Sequence, residues 1–165
     1  DYAMYHLKAP VAIRYPRGAA YAYKGTHTAI EYGKAEVLRE GTEVLILAVG
    51  NMVKTALETA ERLKGSGICP TVVNVRFVKP FDEALVERLS KSHPYVVTME
   101  DNVYSGGFSE RIQAFLLSCG WRGRHCIPVC LPDSFIEHGA PEELYEKYGM
   151  SAAAAAERIE REVKQ

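Results

Sequence analysis

The sequence has no apolar run near the roughly 18 residues that a membrane-spanning helix requires. Its longest apolar stretches are residues 44–49 and 152–156. The N-terminus lacks the basic start, the apolar stretch and the small-residue cleavage site of a secretory signal, and it does not begin with Met. We therefore expect a chain that is neither integral to a membrane nor secreted, and that begins inside a longer polypeptide.

An excess of charge of one sign is also missing. Twenty basic residues stand against 21 acidic ones, which gives a formal net charge of -1. Nucleic-acid clamps and polybasic membrane binders depend on Lys and Arg gathered on one surface, so this balance argues against both classes. One or two local arginines could still hold a small anion.

Short-range cysteine pairs are absent too. The four cysteines, Cys69, Cys119, Cys126 and Cys130, do not show the paired spacings of a zinc site. We predict buried thiols in a reducing cytosol and no metal on this chain. The sequence also contains no G-x-G-x-x-G, P-loop, G-x-S-x-G or H-E-x-x-H motif, so dinucleotide-binding and hydrolase functions have no support.

The composition that remains is that of a globular domain, with 47% hydrophobic and 25% charged residues over 165 positions. From residue 33 onward, apolar runs alternate with amphipathic helical patterns. This alternation predicts an α/β fold with a mostly parallel sheet covered on both faces. The strands are predicted at 33–39, 44–49, 71–78, 95–99 and 127–131, and the short turn at 40–42 makes the first antiparallel to the second.

Local signals mark the helix ends. Asn51, Asp82 and Ser151 are predicted to cap the helices that follow them, and Pro141 suits the first turn of another helix. A short β-rich run at 10–15 is predicted to be the last strand of an upstream unit. Residues 19–32 show no sustained period and are interpreted as a linker.

The carboxyl edge of an open α/β sheet is where ligands bind, so the loops after the strands are the first candidates for a site. Gly50 and Asn51 begin a helix whose free N–H groups could hold an anion, or could simply be capped. Glu100 and Asp101 are strand neighbours that face opposite ways and do not easily share a proton or metal. We interpret one of them as structural, bonding to the turn at 106–107 or to an arginine such as Arg76, with a direct catalytic role as the alternative.

The histidines have no partner at a motif spacing. His138 lies in the segment Phe-Ile-Glu-His-Gly at 135–139, and we expect it to form hydrogen bonds within a loop rather than act as a base. The same expectation holds for His27 and His93. The most suggestive local group is Arg14-Tyr15-Pro16-Arg17-Gly18, because Pro16 stiffens the backbone that presents the two arginines. A guanidinium there suits a phosphate, or an interdomain salt bridge.

Five segments in order carry a resemblance to a known family. The chain from about residue 10 to its end resembles the C-terminal part of the 1-deoxy-D-xylulose-5-phosphate synthases, within the wider transketolase-like group. The segments are Arg-Tyr-Pro-Arg-Gly at 14–18, Arg-Phe-Val-Lys-Pro at 76–80, Val-Thr-Met-Glu-Asp-Asn at 97–102, Gly-Gly-Phe at 106–108 and Leu-Pro-Asp-Ser-Phe-Ile-Glu-His-Gly at 131–139.

The resemblance implies a domain organisation and an activity. Residues 1–20 would be the tail of a pyrimidine-binding domain, 21–32 a linker, and 33–165 a transketolase C-terminal domain with a three-layer α/β/α fold and five strands, one antiparallel. The whole enzyme would condense pyruvate with D-glyceraldehyde 3-phosphate, using thiamine diphosphate and Mg²⁺ held by earlier domains. The product, 1-deoxy-D-xylulose 5-phosphate, feeds isoprenoid, thiamine and pyridoxal synthesis.

Family roles transfer to few residues of this chain. Arg17 matches the family position that binds the phosphate of the aldehyde substrate, whereas Arg14 is interpreted as structural. No catalytic, cofactor-binding or metal-binding residue is expected here, so the chain alone is expected to be inactive. Its expected partners are the earlier domains of the same polypeptide, a second copy in a homodimer and small-molecule substrates, in a bacterial cytoplasm or a plastid stroma.

Two alternatives stay open at this point. One is the β subunit of a 2-oxoacid dehydrogenase, whose C-terminal domain docks an acyltransferase core. The other is a non-catalytic interaction or regulatory module that keeps the same fold.

Overall fold

The structure is a computed structural model, which describes residues 2–12, 25, 28–122 and 125–165. The strands are β1 (Glu36–Arg39), β2 (Val44–Ala48), β3 (Thr71–Asn74), β4 (Tyr95–Val103) and β5 (His125–Leu131). The helices are α1 (Tyr2–Tyr5), α2 (Met52–Leu63), α3 (Glu83–Ser90), α4 (Phe108–Ser118), α5 (Pro141–Lys147) and α6 (Ala152–Val163), with a 3-10 turn at Lys64–Ser66.

The strands form one five-stranded sheet in the order β1-β3-β2-β4-β5. β2 pairs in parallel with both β3 and β4, β5 continues the parallel sheet beside β4, and β1 pairs antiparallel with β3. The predicted α/β class, the five strands and the single antiparallel strand are therefore confirmed. The antiparallel strand lies at the edge beside β3, although β2 follows it in sequence.

Helices cover both faces of the sheet, because central strands bury side chains in both directions. Val44, Ile46 and Ala48 of β2 face α2 and α6, whereas Leu45 and Leu47 face α3 and α4. All five of these side chains are fully buried. This two-sided burial explains why β2 is an unbroken apolar run with no polar alternation.

Several strand limits differ from the sequence prediction: β1 begins at Glu36 and not at residue 33, β5 begins two residues early at His125, and the ends of β3 and β4 also move. The pattern predicts that β3 reaches residue 78, but β3 ends at Asn74, since Arg76 adopts a left-handed backbone with φ of 58° that cannot continue an extended strand. The predicted end of β4 is residue 99, but the strand continues through Glu100 and Asp101 to Val103, which pairs with Leu131. The run at 10–15 shows no strand at 10–12, and the rest of it lies outside the described residues.

Two of the three predicted caps are confirmed. The Asp82 side chain accepts a hydrogen bond from Leu85 N, and the Ser151 hydroxyl accepts one from Ala154 N. Asn51 precedes α2 but makes no side-chain cap bond, so its predicted capping role is wrong. Pro141 occupies the first turn of α5 as predicted.

The prediction of buried thiols is wrong for two of the four cysteines and only partly correct for the other two. Cys69 and Cys119 are exposed, and Cys126 and Cys130 are half-buried. Burial raises the pKa of Cys126 to about 11, which keeps that thiol protonated near neutral pH. Cys69 follows the buried Ile68, and Cys119 follows the last residue of α4, near the exposed Leu117, placements that residue type alone does not reveal.

The close packing around Gly41, in the turn between β1 and β2, leads to a prediction about stability. A Cβ atom at Gly41 would lie 2.0 Å from the carbonyl oxygen of Cys69, while Gly41 also exchanges hydrogen bonds with Thr71. We expect Gly41→Ala to lower the free energy of unfolding by about 2–3 kcal/mol, because backbone must move to admit the methyl group. Urea denaturation would measure the change.

Gly65→Ala is the matched control. A Cβ atom at Gly65 meets nothing within 4 Å, and its backbone is not left-handed. This variant should be neutral or stabilising by about 0.5 kcal/mol. Equal losses in both variants would contradict the close approach at Gly41.

Candidate functional site

The point where the sheet reverses its strand order is the place to look for a ligand. β2 and β4 are neighbours here, and the helices that follow them pack on opposite faces, α2 on one and α4 on the other. The crevice between their carboxyl ends is bordered by Asn51 after β2 and by Glu100 and Asp101 in β4. As predicted, the two acidic neighbours face opposite sides of the sheet.

Glu100 faces α4 and closes its N-terminus. Its side chain is 3% exposed and accepts hydrogen bonds from Phe108 N at 2.8 Å and Ser109 N at 2.6 Å. Helix N-termini attract anions because their first N–H groups are unpaired and carry the positive end of the helix dipole. In this protein the chain's own carboxylate occupies the position that a phosphate would take in a nucleotide-binding relative of this fold class.

The two glycines before α4 make this contact geometrically feasible. Gly106 has a left-handed backbone with φ of 72°, and a Cβ atom on Gly107 would lie 2.8 Å from a Glu100 carboxylate oxygen and 2.3 Å from Val103 O. The predicted bond between the acidic pair and the glycine turn is therefore nearly correct. The donors are the two residues that follow the glycines.

Asp101 faces the other side, where it joins Asn51 and Tyr145 in a closed triangle of hydrogen bonds. The Asn51 amide donates to Asp101 at 2.9 Å and to the Tyr145 hydroxyl at 2.8 Å, and that hydroxyl donates to Asp101 at 2.8 Å. Burial and the Asp101 carboxylate both raise the pKa of Tyr145, so the phenol remains a protonated donor. The triangle ties α5 to the ends of β2 and β4.

Arg76 does not contact either acidic neighbour, so its predicted pairing with them is wrong. It pairs instead with Glu36 of β1, at 2.6 Å between Nη2 and Oε2. The side chains of Arg76 and Glu36 are 10% and 3% exposed, respectively. The antiparallel edge strand places Glu36 opposite Asn74, two residues before Arg76, which brings the pair together.

The predicted histidines do not form a site. His138 is exposed in the loop after β5, and His27 lies outside the described residues. His93 is buried, donates from Nδ1 to Leu89 O at 2.7 Å and contacts the Thr71 hydroxyl at 2.9 Å through Nε2. Its contacts are structural hydrogen bonds between α3 and the β1–β3 end of the sheet.

Arg14 and Arg17 also lie outside the described residues, so the phosphate-binding role of Arg17 stays a prediction. Within the described ranges, no group of three or more His, Cys, Asp or Glu side chains could hold a metal ion. None of the helices there is long and apolar enough to cross a bilayer.

Sequence reasoning missed Glu36 and Tyr145. Glu36 had a detectable signal, since a strand alternation that points Leu38 inward also points Glu36 inward, and a buried carboxylate needs a partner. Tyr145 had none, because its hydroxyl meets residues 44 and 94 positions away.

Comparison with known proteins defines the class first. The family model for "Transketolase, C-terminal domain" matches residues 33–154. The chain belongs to this family.

Similar proteins of known name indicate which members of this family the chain resembles. The chain is 42% identical over 159 residues to 1-deoxy-D-xylulose-5-phosphate synthase of Chlorobium phaeovibrioides, covering 95% of this chain and 25% of that protein. It is 45% identical over 155 residues to the synthase of Caldanaerobacter subterraneus subsp. tengcongensis, covering 93% of this chain and 25% of that protein. The chain thus spans about a quarter of the length of these relatives.

Solved structures agree on the fold. A split-gene transketolase, described as an inactive β4 tetramer, superposes with a TM-score of 0.74 at 31% identity over 81% of this chain and 43% of that one. Transketolase from Campylobacter jejuni superposes with a TM-score of 0.57 at 25% identity over 76% of this chain and 18% of that one. Both similarities support the transketolase C-terminal fold.

The Glu100 contact predicts a test on stability. In Glu100→Gln, the amide NH₂ would face a helix N–H donor, and the negative charge at the helix start would be lost. We expect the free energy of unfolding to fall by about 2–3 kcal/mol, as for buried hydrogen bonds to charged groups. Glu110→Gln is the control, because Glu110 accepts a hydrogen bond from Gly106 N in an exposed position. Loss of the Glu110 charge should lower the free energy of unfolding by less than about 1 kcal/mol. Denaturant titration of both variants measures the difference.

The Asp101 triangle predicts a smaller effect. Tyr145→Phe removes the hydroxyl bonded to Asp101 and Asn51 and should lower the free energy of unfolding by about 1 kcal/mol. Tyr148→Phe, on the same stretch of chain, removes only an exposed contact with Glu137 and should change it by less than half as much. Thermal unfolding of the two variants tests this, and an equal response would argue against the triangle as an anchor for α5.

Proposed function

We propose that this chain is the C-terminal part of a thiamine-diphosphate-dependent transferase that makes 1-deoxy-D-xylulose 5-phosphate and CO₂ from pyruvate and D-glyceraldehyde 3-phosphate. The similarity to synthases along nearly the whole chain carries this proposal, at 42% identity over 95% of its length for one relative. Such a product would serve isoprenoid, thiamine and pyridoxal synthesis. The partners would be the preceding domains of the same polypeptide and a second copy in a homodimer.

Within that enzyme the present domain would support the chemistry from outside the reaction centre. The two places where an open α/β sheet usually takes a ligand are filled by the chain's own side chains, Glu100 on one face and the Asp101 triangle on the other. With those carboxylates already engaged by the chain's own N–H, amide and hydroxyl donors, we expect the ligands of Mg²⁺ and of a diphosphate to lie elsewhere in the enzyme. Thiamine diphosphate supplies the electron sink when bound, and its ligands would belong to other domains.

Arg17 is the residue of this chain proposed to contact substrate. A guanidinium offers a fixed fork of donors and a permanent charge, which match a phosphate monoester. Its role would be to bind the phosphate of glyceraldehyde 3-phosphate and so orient the aldehyde toward the reaction centre.

A chimera tests the proposal. This chain would replace the matching C-terminal quarter of the Caldanaerobacter synthase, with formation of 1-deoxy-D-xylulose 5-phosphate as the readout. We expect an active chimera, while the isolated chain releases no CO₂ from pyruvate. Arg17→Ala should raise the KM for glyceraldehyde 3-phosphate about 10- to 100-fold, the loss expected for a charged hydrogen bond, and leave the KM for pyruvate nearly unchanged.

The controls separate charge from geometry. Arg17→Lys keeps the charge without the planar fork of donors. Its KM for glyceraldehyde 3-phosphate should lie between those of the unsubstituted chimera and Arg17→Ala. Arg39→Ala removes an arginine of β1 that pairs with the exposed Glu61 of α2, and it should leave both KM values unchanged. Equal effects of Arg17→Ala on both substrates would contradict the phosphate role, and turnover by the isolated chain would contradict the supporting role of the domain.

A further inference from the structure

The exposed apolar side chains of the domain gather at one edge of its sheet. Phe135 is fully exposed in the loop after β5, and Val78 is exposed in the loop after β3. Ile30 and Tyr32 are exposed shortly before β1, and β1 begins beside the end of β3 because the two strands are antiparallel. All four residues therefore lie at the carboxyl edge of the parallel strands.

The opposite edge, where the parallel strands begin, carries less exposed apolar surface. Among the described residues from 28 onward, the other large apolar side chains that are exposed are Val37, inside β1, and Leu117, near the end of α4. Single exposed apolar residues are normal on any protein, whereas several at one edge are typical of an interaction surface. The carboxyl edge is therefore the side on which we expect another protein surface.

The loop that presents Phe135 is anchored to α5. Glu137 accepts hydrogen bonds from Lys147 Nζ and from the Tyr148 hydroxyl, the second at 3.1 Å. The hydrogen bonds from Lys147 and Tyr148 lower the pKa of Glu137, so this residue stays a carboxylate near neutral pH. An aromatic ring on an anchored loop loses little conformational entropy when a partner buries it, which favours a role as an interface anchor.

A small polar ligand does not account for this edge, because its polar groups already have partners. Glu100 accepts hydrogen bonds from the first turn of α4, and Asp101, Asn51 and Tyr145 bond to one another. The exposed surface beside them is the apolar set at 30, 32, 78 and 135. Such a set fits an apolar protein surface better than a phosphate or a carboxylate.

The upstream chain lies at the same edge. Tyr2 of α1 packs edge-on against Phe77, in the loop after β3, with the ring centroids 6.0 Å apart. Tyr32 packs edge-on against the same ring at 5.6 Å. The segment that leads to β1 therefore reaches the sheet at its carboxyl edge, and it would tether a preceding domain beside that edge.

A tethered domain is wide enough to cover the whole edge. This chain spans 25% of the length of each of the two synthases compared above, so most of each synthase lies outside the match. Five strands at a spacing of about 4.8 Å are about 20 Å wide, whereas a domain of about 150 residues has a radius of gyration of about 15 Å. One such domain can contact both the loop after β3 and the loop after β5.

We propose that the carboxyl edge of the sheet is the docking face for the domain that precedes this one in the same polypeptide, with Phe135 as the anchor that enters an apolar pocket of that domain. Val78 and Tyr32 form the part of the face next to the connecting segment. The proposal rests on the proposed function only for the existence of a preceding domain, and its test does not depend on catalysis.

Thiol labelling of the chimera described above tests the docking. Ser134→Cys places a reporter thiol beside Phe135, at a position that is exposed in the domain. This thiol should react with a maleimide about tenfold or more slowly in the chimera than in the isolated chain, the factor expected when a phenylalanine side chain is buried. Cys69 and Cys119 are internal controls, because both are exposed at the edge where the parallel strands begin and should react equally in the two proteins.

Phe135→Ala tests the anchor in the same reporter background. It should bring the labelling rate at position 134 in the chimera back to that of the isolated chain. Leu117→Ala is the matched control, since it removes an exposed apolar side chain at the opposite edge and should leave the slow rate unchanged. Phe135→Ala should also leave the thermal unfolding of the isolated chain unchanged, because the ring is exposed there.

Photochemical cross-linking identifies the occupant. The photoreactive residue p-benzoylphenylalanine at position 135 of the chimera keeps an aromatic ring there and bonds to whatever contacts it on irradiation. We expect cross-links to the preceding domain within one polypeptide, without a change of mass on a denaturing gel. A product of doubled mass would show that a second copy covers Phe135 and would overturn the choice of occupant.

Equal labelling of position 134 in the chimera and in the isolated chain would overturn the docking. Equal slowing at Cys69 and Cys119 would overturn it too, since it would show that burial is not specific to the carboxyl edge. The two proposals fail separately. A slow rate at position 134 in a chimera that makes no product would contradict the proposed function alone, and an active chimera with a fast rate there would contradict the docking alone.

Discussion

The carboxyl edge of the sheet depends on the hydrogen bonds between the Glu100 carboxylate and the start of α4. It is buried within β4, where it faces the start of α4, and it accepts hydrogen bonds from two N–H groups of the first helical turn. Its position requires the glycine at 107, because a β-carbon there would overlap the carboxylate and Val103 O. One acidic side chain therefore explains why residue 107 is a glycine and how the first turn of α4 is held against the sheet.

This self-contained edge distinguishes the domain from the nucleotide-binding members of its fold class. In those proteins the helix N-terminus at the reversal of strand order is left for a phosphate. Here an internal carboxylate and the triangle of Asp101, Asn51 and Tyr145 fill both sides of that place. The polar groups at this edge hold the strands, α4 and α5 together. The Glu36–Arg76 pair extends the same use of charge to the segment that enters the domain.

Sequence patterns predict the features whose cause is local. Asp82 and Ser151 are recognisable as caps because each bonds to an N–H three residues later, within one turn of the helix. Asn51 shows the same local signal, but its amide bonds to Asp101 and Tyr145, which are 50 and 94 positions away. Arg76 is similar, since a strand pattern from 71 to 78 gives no indication that the backbone turns left-handed at that residue. Competition from distant partners decides the structure at these positions.

The sequence by itself was enough to infer the α/β class, the family and the unbroken apolar central strand. It was also enough to infer that Glu100 and Asp101 face opposite sides of the sheet. Each of these follows from periodicity, from short-range spacing or from motifs that are legible in the chain itself. Only the folded molecule shows which donors bind the carboxylates and that β1 pairs with β3. It also shows that Glu36 and Arg76 hydrogen-bond to Thr28. The physical reason is that hydrogen bonds and ion pairs act over a few ångströms in space, while the residues that make them are brought together by strand order and crossovers that no local pattern encodes.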